Sequence, residues 1–297
     1  MRFLFSCIFY FLILSAGAQG QHFQKSWKDF SLNQKVKSFD SDKYYVEIRN
    51  DSVVKKTGYG EEVATFTFNE NGFLTLQNQT GGGIGGRSSY QYDSSQTLLT
   101  NSDYYGEGAH GQIVWRYHYK YDTLNDLVCV IEERPSTYGL RQDSSKTDLS
   151  EFMTYSYNSK GQMIEELDCS NDSAVFMKVK CAYNKAGTQI ESTMLNEPED
   201  KSYQRVVDRF NKNGNLIQED IYDSSGHYVR VVLKYDDEGN RTEEIYRYWK
   251  TKYEERWFWK YEYDSKRNWI KKSEFQQQGK SGIVKPVNVE TRVIHYY

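Results

Sequence analysis

Apolar and polar residues alternate with period two through long stretches of the chain. Ile113, Trp115, Tyr117, Tyr119 and Tyr121 alternate with Val114, Arg116, His118 and Lys120. Trp257, Trp259, Tyr261 and Tyr263 alternate with Arg256, Phe258, Lys260 and Glu262, and Val229, Val231, Leu233 and Tyr235 repeat the pattern. Such alternation predicts half-buried β-strands with the aromatic set on the covered face. A one-residue slip would turn the whole set to water, so register is firmly specified. Trp257 and Trp259 are expected in the core.

Each strand runs into an aromatic residue followed by Asp or Asn. The anchors are Phe68, Tyr92, Tyr121, Tyr157, Tyr183, Phe210, Tyr235 and Tyr263, spaced 24 to 36 residues apart. Asn69 with Gly72, Asn158 with Gly161, Asn184 with Gly187, Asn211 with Gly214 and Asp236 with Gly239 form five turn pairs. Asp or Asn bonds the backbone two residues on, and Gly supplies positive φ without steric cost, as in a hairpin loop with a left-handed bulge. Asn125 takes the glycine place in a sixth unit. Gln96 and Arg267 stand there in two others, where the turns should differ. An apolar residue recurs seven places after most anchors, as at Leu99, Ile164, Ile190, Ile217 and Ile270. The expected fold is all-β: tandem antiparallel β-hairpins forming a curved or rolled meander, since a flat sheet would expose the aromatic face.

The N-terminus divides the chain further. Arg2, the apolar run Phe3 to Leu14 and the small residues Ser15 to Ala18 read as a signal peptide over residues 1–18. Residues 19–59 read as an N-terminal cap and a degenerate hairpin around Asn50, Asp51 and Ser52. Phe23, Trp27 and Phe30 fall at the spacing of a short capping helix. Residues 60–297 hold the repeats. No other run reaches the roughly 20 apolar residues a spanning helix needs, so no transmembrane segment is expected in the mature chain.

Composition narrows the function. The net charge of −3 becomes −4 without Arg2, which offers no field to attract nucleic acid. With 26 tyrosines, 3 prolines and 16% aromatic residues, the chain can build a β core. Cys129, Cys169 and Cys181 follow the leader; export permits one disulfide, and buried thiols are the simpler reading. No paired Cys or His spacing points to a metal, and no cofactor is expected.

Tyr157-Asn158 with Gly161 and Ile164, Phe210-Asn211 with Gly214 and Ile217, and Tyr235-Asp236 with Gly239 resemble the tyrosine-aspartate (YD) repeats of Rhs and teneurin-like proteins. The resemblance covers roughly residues 60–297. It implies hairpins wound into a shell, here too few to close one and with no toxin domain behind them. It also implies an exported protein of a Gram-negative bacterium, in the periplasm, at the outer surface or secreted.

No catalytic motif emerges. Gly81 to Gly86 lacks the Lys-Ser/Thr ending of a phosphate loop, and Glu165-Glu166, Glu243-Glu244 and Glu254-Glu255 point to opposite faces of their strands. The distinctive surface is Tyr246 to Lys272, where Trp249 and Trp269 with Lys250 and Lys252 form the candidate binding residues. The expected role is a non-catalytic cell-envelope interaction or structural module, with a glycan or another envelope protein as partner. The rival readings are a carbohydrate-binding protein using exposed Trp and Tyr, and a hydrolase with carboxylates from separate turns.

Overall fold

The computed structural model describes residues 24–49, 52–56, 60–81, 86–106, 115–134, 148–169, 175–196, 203–224, 226–279 and 282–297. The leader, Phe23, the Asn171–Ser173 and Glu197–Asp200 connections and most of the 141–148 loop lie outside them. A four-residue 3-10 turn, Trp27–Phe30, stands where a capping helix was expected. The strands follow in order: β1 Val36–Arg49, β2 Ser52–Lys55, β3 Glu62–Phe68, β4 Leu74–Thr80, β5 Gly86–Tyr92, β6 Leu99–Gly106, β7 Trp115–Tyr121, β8 Leu127–Arg134, β9 Asp148–Tyr157 and β10 Met163–Cys169. Then come β11 Val175–Tyr183, β12 Gln189–Asn196, β13 Tyr203–Phe210, β14 Leu216–Asp223, β15 Gly226–Tyr235, β16 Arg241–Tyr248, β17 Glu254–Tyr263, β18 Trp269–Gln278 and β19 Lys285–Tyr296.

From β3 to β19 each strand pairs antiparallel with the next, and β1 closes the ring. Phe39 lies opposite Ile294 of β19 on one side and Phe66 of β3 on the other. The second half of β1 leaves the ring to pair with β2, Val46 opposite Lys55 and Arg49 opposite Ser52. The result is a closed barrel of 18 staves. This corrects the open or rolled meander: closure removes both sheet edges, which an exported sheet must otherwise protect. It also removes the shell-forming hairpin repeat as the architecture. The ring draws on residues to both sides of position 60.

The eight anchor turns lie at one end of the barrel; in six the first-corner N–H donates to the carbonyl four residues on, and in the Tyr92 and Tyr183 turns five residues on, Asp93 to Leu98 and Asn184 to Gln189. The residue four places after the anchor has positive φ in each, the glycines running from Gly187 at 70° to Gly72 at 89°. Gln96 at 58°, Asn125 at 65° and Arg267 at 63° do the same without glycine; the Tyr263 turn therefore matches the glycine turns, whereas the Tyr92 turn does differ, being one residue longer. The Asp or Asn side chain holds each loop; Asp93 Oδ1 accepts from the amides of Thr97 and Leu98, as Asn211 Oδ1 does from Asn213 and Asn215.

A bulge after most turns reverses a parity that the sequence left hidden. Phe68 pairs with Leu74, Tyr121 with Leu127, Phe210 with Leu216 and Tyr263 with Trp269, each across a register shift. The residue six places after the anchor is therefore buried, and Ile164, Ile217 and Ile270 at seven places are exposed. In the Tyr92 and Tyr183 units Leu99 and Ile190, at seven places, face inward and are buried.

The anchor face is the inside of the barrel. Val206 and Val229 are buried there at 0% and 1% exposure, and the three apolar clusters of the described residues lie on it. The anchor hydroxyls explain why most anchors are tyrosine. Tyr92, Tyr121, Tyr157, Tyr183 and Tyr235 donate to the carbonyls of Leu74, Leu99, Leu127, Met163 and Leu216 at 2.6–2.8 Å. Each acceptor is the first residue of the outgoing strand in the preceding hairpin, so every spoke ties two hairpins together. A buried tyrosine needs such a partner. Trp257 and Trp259, expected in the core, are on this face but only half-buried.

Four inward carboxylates keep an unpartnered oxygen: Glu166, Asp168, Asp208 and Glu219. Asp208 lies directly opposite Glu219 across β13 and β14. Burial raises all four; Glu166 is pushed up to about 8, with Asp168 adding to the shift, and Asp168 to about 6. The adjacent Glu165 faces outward to Lys178.

The outward positions are charged along most staves, among them Arg116, Lys178, Arg209, Arg230, Lys234, Arg247 and Lys271. A lipid-facing β wall carries an apolar band about 25 Å tall, so this polarity is the reverse of that pattern. The absence of a spanning segment, read above from apolar run length, does not follow for this architecture. No described helix is long and apolar enough to cross a membrane, but closed barrels cross with strands.

The segment before β1 runs across the inside of the turn end as a strap. Gln24 donates to Thr97, Leu74 to Lys25, Trp27 to Gly72 and Asn33 to Arg267, so the strap touches three turns. Phe30 packs among Phe39, Phe66 and Phe68, with Leu32 buried beside them. Gly72 is required twice over: its φ is positive, and a Cβ there would lie 2.5 Å from the Trp27 ring.

Candidate functional site

Trp249, Lys250 and Lys252 come together in the β16–β17 connection, at the end opposite the strap. Tyr248 N–H donates to Tyr253 O to close the loop, and Trp249 N–H donates to Tyr228 O on the neighbouring hairpin. Lys252 adopts positive φ, 55°, which turns its ammonium back over the Trp249 ring at 4.2 Å. Lys250 reaches Asp223 at 3.5 Å and so serves the scaffold of the loop. Trp249 is 60% exposed, and the His227 ring lies 5.5 Å from it.

The ring stands at the mouth of a cavity of about 260 Å³ lined also by His227, Arg230, Arg247, Tyr253 and Glu254. Two carboxylates are each shared by two arginines. Asp220 takes Arg209 and Arg230 at 2.5 Å; Glu254 takes Arg256 at 2.6 Å and Arg247 at 3.1 Å. Burial alone would raise both acids, but their arginine hydrogen bonds outweigh it and hold them below the usual carboxylate range. The acids stay ionised, and the arginines exceed them, leaving a positive surplus beside an exposed ring.

Trp269 does not join this group. It is 4% exposed, on the inner face at the strap end, stacked under Arg292 at 3.2 Å. The bulge opposite Tyr263 turns it inward, so it is no exposed platform. His227, Arg230, Arg247 and Tyr253 went unread in the sequence. Arg230 and Arg247 are direct cross-strand partners, a like-charge pairing visible only once the register is known.

Neither Cys129 nor Cys181 forms a disulfide, and no group of metal-binding side chains occurs among the described residues. No family model and no curated protein matches the chain. Two of the solved structures that match do so with low scores. A porin-like protein from Bacteroides uniformis aligns with TM-score 0.38 and 11% identity, over 89% of this chain and 99% of that one. The TcdB2-TccC3-TEV structure aligns with TM-score 0.27 and 13% identity, over 86% of this chain and 17% of the other. The YD-repeat resemblance drawn from the turn motifs is therefore corrected: no family model supports it, and the hairpins close into a barrel. The tandem-repeat scaffold and its two rivals give way to a closed barrel. An exported location holds, because such a barrel is consistent with an outer-membrane or secreted place in a Gram-negative bacterium.

Proposed function

We propose that the protein is an exported, non-enzymatic barrel that binds an anionic, ring-bearing ligand at its loop end. The observation that carries this is the exposed Trp249 ring under Lys252, beside arginines in excess of their acids. A large ring left in water is unfavourable, and an aromatic face next to cations suits a flat ligand with negative charge. The charged outer wall and the strap across the other end leave the loop end as the accessible recognition surface.

Titration with 2-naphthoate, followed by quenching of tryptophan fluorescence, tests the reading. Trp249→Ala should weaken binding by about tenfold or more, the loss typical of a central aromatic contact. Lys252→Glu should weaken it further at low salt than at high salt, because exposed charges are screened. Both positions are exposed, so the unfolding midpoint should stay within the range of surface substitutions. Equal affinity in wild type and both variants would refute the site.

A further inference from the structure

A second cavity lies inside the barrel at the strap end, with a volume of about 350 Å³. Its walls are Trp259, Tyr261 and Trp269, and residues 29–31 of the strap form one side. Two buried polar atoms on its lining have no hydrogen-bond partner: Asn240 Oδ1 and Arg292 Nε. Asn240 is 4% exposed and the Arg292 side chain 7%. Unsatisfied buried groups of this kind are costly and uncommon.

The orientation of the Asn240 amide is fixed by its neighbours. Its Nδ2 donates to Asp236 Oδ2 at 3.3 Å and to Tyr263 Oη at 2.9 Å, and an ionised carboxylate can only accept. The oxygen is therefore the free end. The next hairpin shows what such an amide holds. Asn268 occupies the same place after its turn, its own N–H donating to Asp264 as that of Asn240 donates to Asp236. The Asn268 Nδ2 also meets the next tyrosine, Tyr296. There the side-chain amide clasps both backbone polar groups of one residue: Oδ1 accepts from Asn33 N–H, and Nδ2 donates to Asn33 O at 3.0 Å. Asn240 is the same device with its acceptor unfilled.

The charges around it match the ends of a short peptide. Glu290 lies 3.6 Å from both Arg292 Nε and Lys272 Nζ, too far to hydrogen-bond either, so one acid faces two cations. Glu274 lines the same cavity, while Asp29 is tied to Ser26. We propose that this cavity binds a free di- or tripeptide. Asn240 Oδ1 accepts the peptide N–H, Arg292 and Lys272 take the C-terminal carboxylate, and Glu274 takes the N-terminal ammonium between aromatic walls.

Calorimetric titration of the mature protein with L-alanyl-L-alanine tests this, against L-alanyl-L-lactate, in which an ester oxygen replaces the N–H. Wild type should prefer the dipeptide by about tenfold, the discrimination expected when a buried acceptor loses its donor. Asn240→Ala should bind both compounds alike. Because Asn240 also braces its turn, Lys272→Met gives a second arm: it should weaken the dipeptide several-fold yet leave L-alanyl-L-alaninamide unchanged. No dipeptide binding at millimolar concentration, equal binding of dipeptide and ester by wild type, or preference retained in a folded Asn240→Ala would each overturn the proposal.

Discussion

Stability should fall by several kcal/mol between pH 5 and pH 8.5, the opposite of the usual behaviour of carboxylate-paired proteins. Glu166, Asp168, Asp208 and Glu219 are raised in the fold by burial, Glu166 to about 8 and Asp168 to about 6. The facing pair Asp208 and Glu219 titrates together, each charge opposing the other's ionisation. In the unfolded chain these groups ionise near pH 4. Between about pH 4 and pH 8 the folded state therefore holds protons that the unfolded state has released, and stability declines as pH rises. Each unit of difference contributes about 1.4 kcal/mol per group before relaxation and water entry reduce it. At the acid end Asp220 and Glu254 work the other way, since their pKa values are lowered and their contribution is lost below about pH 4. The maximum should lie between pH 4 and 6. Urea unfolding across this range measures it. Glu219→Gln should flatten the slope and raise stability at pH 8.5. A profile level or rising from pH 5 to 8.5 would show that the four acids are not enclosed.

Phe39→Ala should cost about 3–5 kcal/mol, as for other fully buried aromatic residues. Phe39 is 0% exposed and stacks on Phe66 at 4.6 Å, with Phe30 at 5.5 Å and the Arg292 guanidinium at 4.5 Å. It sits on the one strand that pairs with both β3 and β19 and beneath the strap, so its removal loosens the closure and the strap together. Phe30→Ala should cost less, and the double variant should lose less than the sum, because the two rings share one cluster. Denaturant unfolding at pH 6 reads all three. A loss below about 1 kcal/mol for Phe39→Ala would place the ring outside the core.

The strands and the turn end were legible in the sequence because their signals are local. Alternation over Trp115 to Tyr121 marks one strand and its inner face, and Asn158 with Gly161 marks one turn. Closure was not legible, since the seam joins Phe39 to Ile294 across nearly the whole chain and no local pattern encodes that pairing. Parity after the turns failed for a different reason. A single bulge exchanges Trp269 and Ile270 between inside and outside, and a one-residue insertion has no signature in a row of mixed apolar residues. Arg267 was misread because tertiary pairing holds it in a conformation that intrinsic preference resists by roughly 1–2 kcal/mol. Of the binding residues, Trp249, Lys250 and Lys252 stand close in sequence and could be grouped. Arg230 and Arg247 needed the register, and the interior peptide cavity needed the barrel.

Closure itself is tested most directly at the two seams of β1. Asp40 opposes Val293 of β19, and Asp42 opposes Val63 of β3, all on the outer face. Opposed cross-strand positions lie about 4.5–5.5 Å apart at Cα, within reach of a disulfide. With the native cysteines replaced by alanine, the pairs Asp40→Cys with Val293→Cys and Asp42→Cys with Val63→Cys should each oxidise readily, in the folded monomer and without loss of stability. An open or rolled sheet would form only the β1–β3 bridge between neighbours in sequence. Failure of the β1–β19 bridge, from Asp40→Cys to Val293→Cys, in a folded, monomeric protein would contradict the barrel.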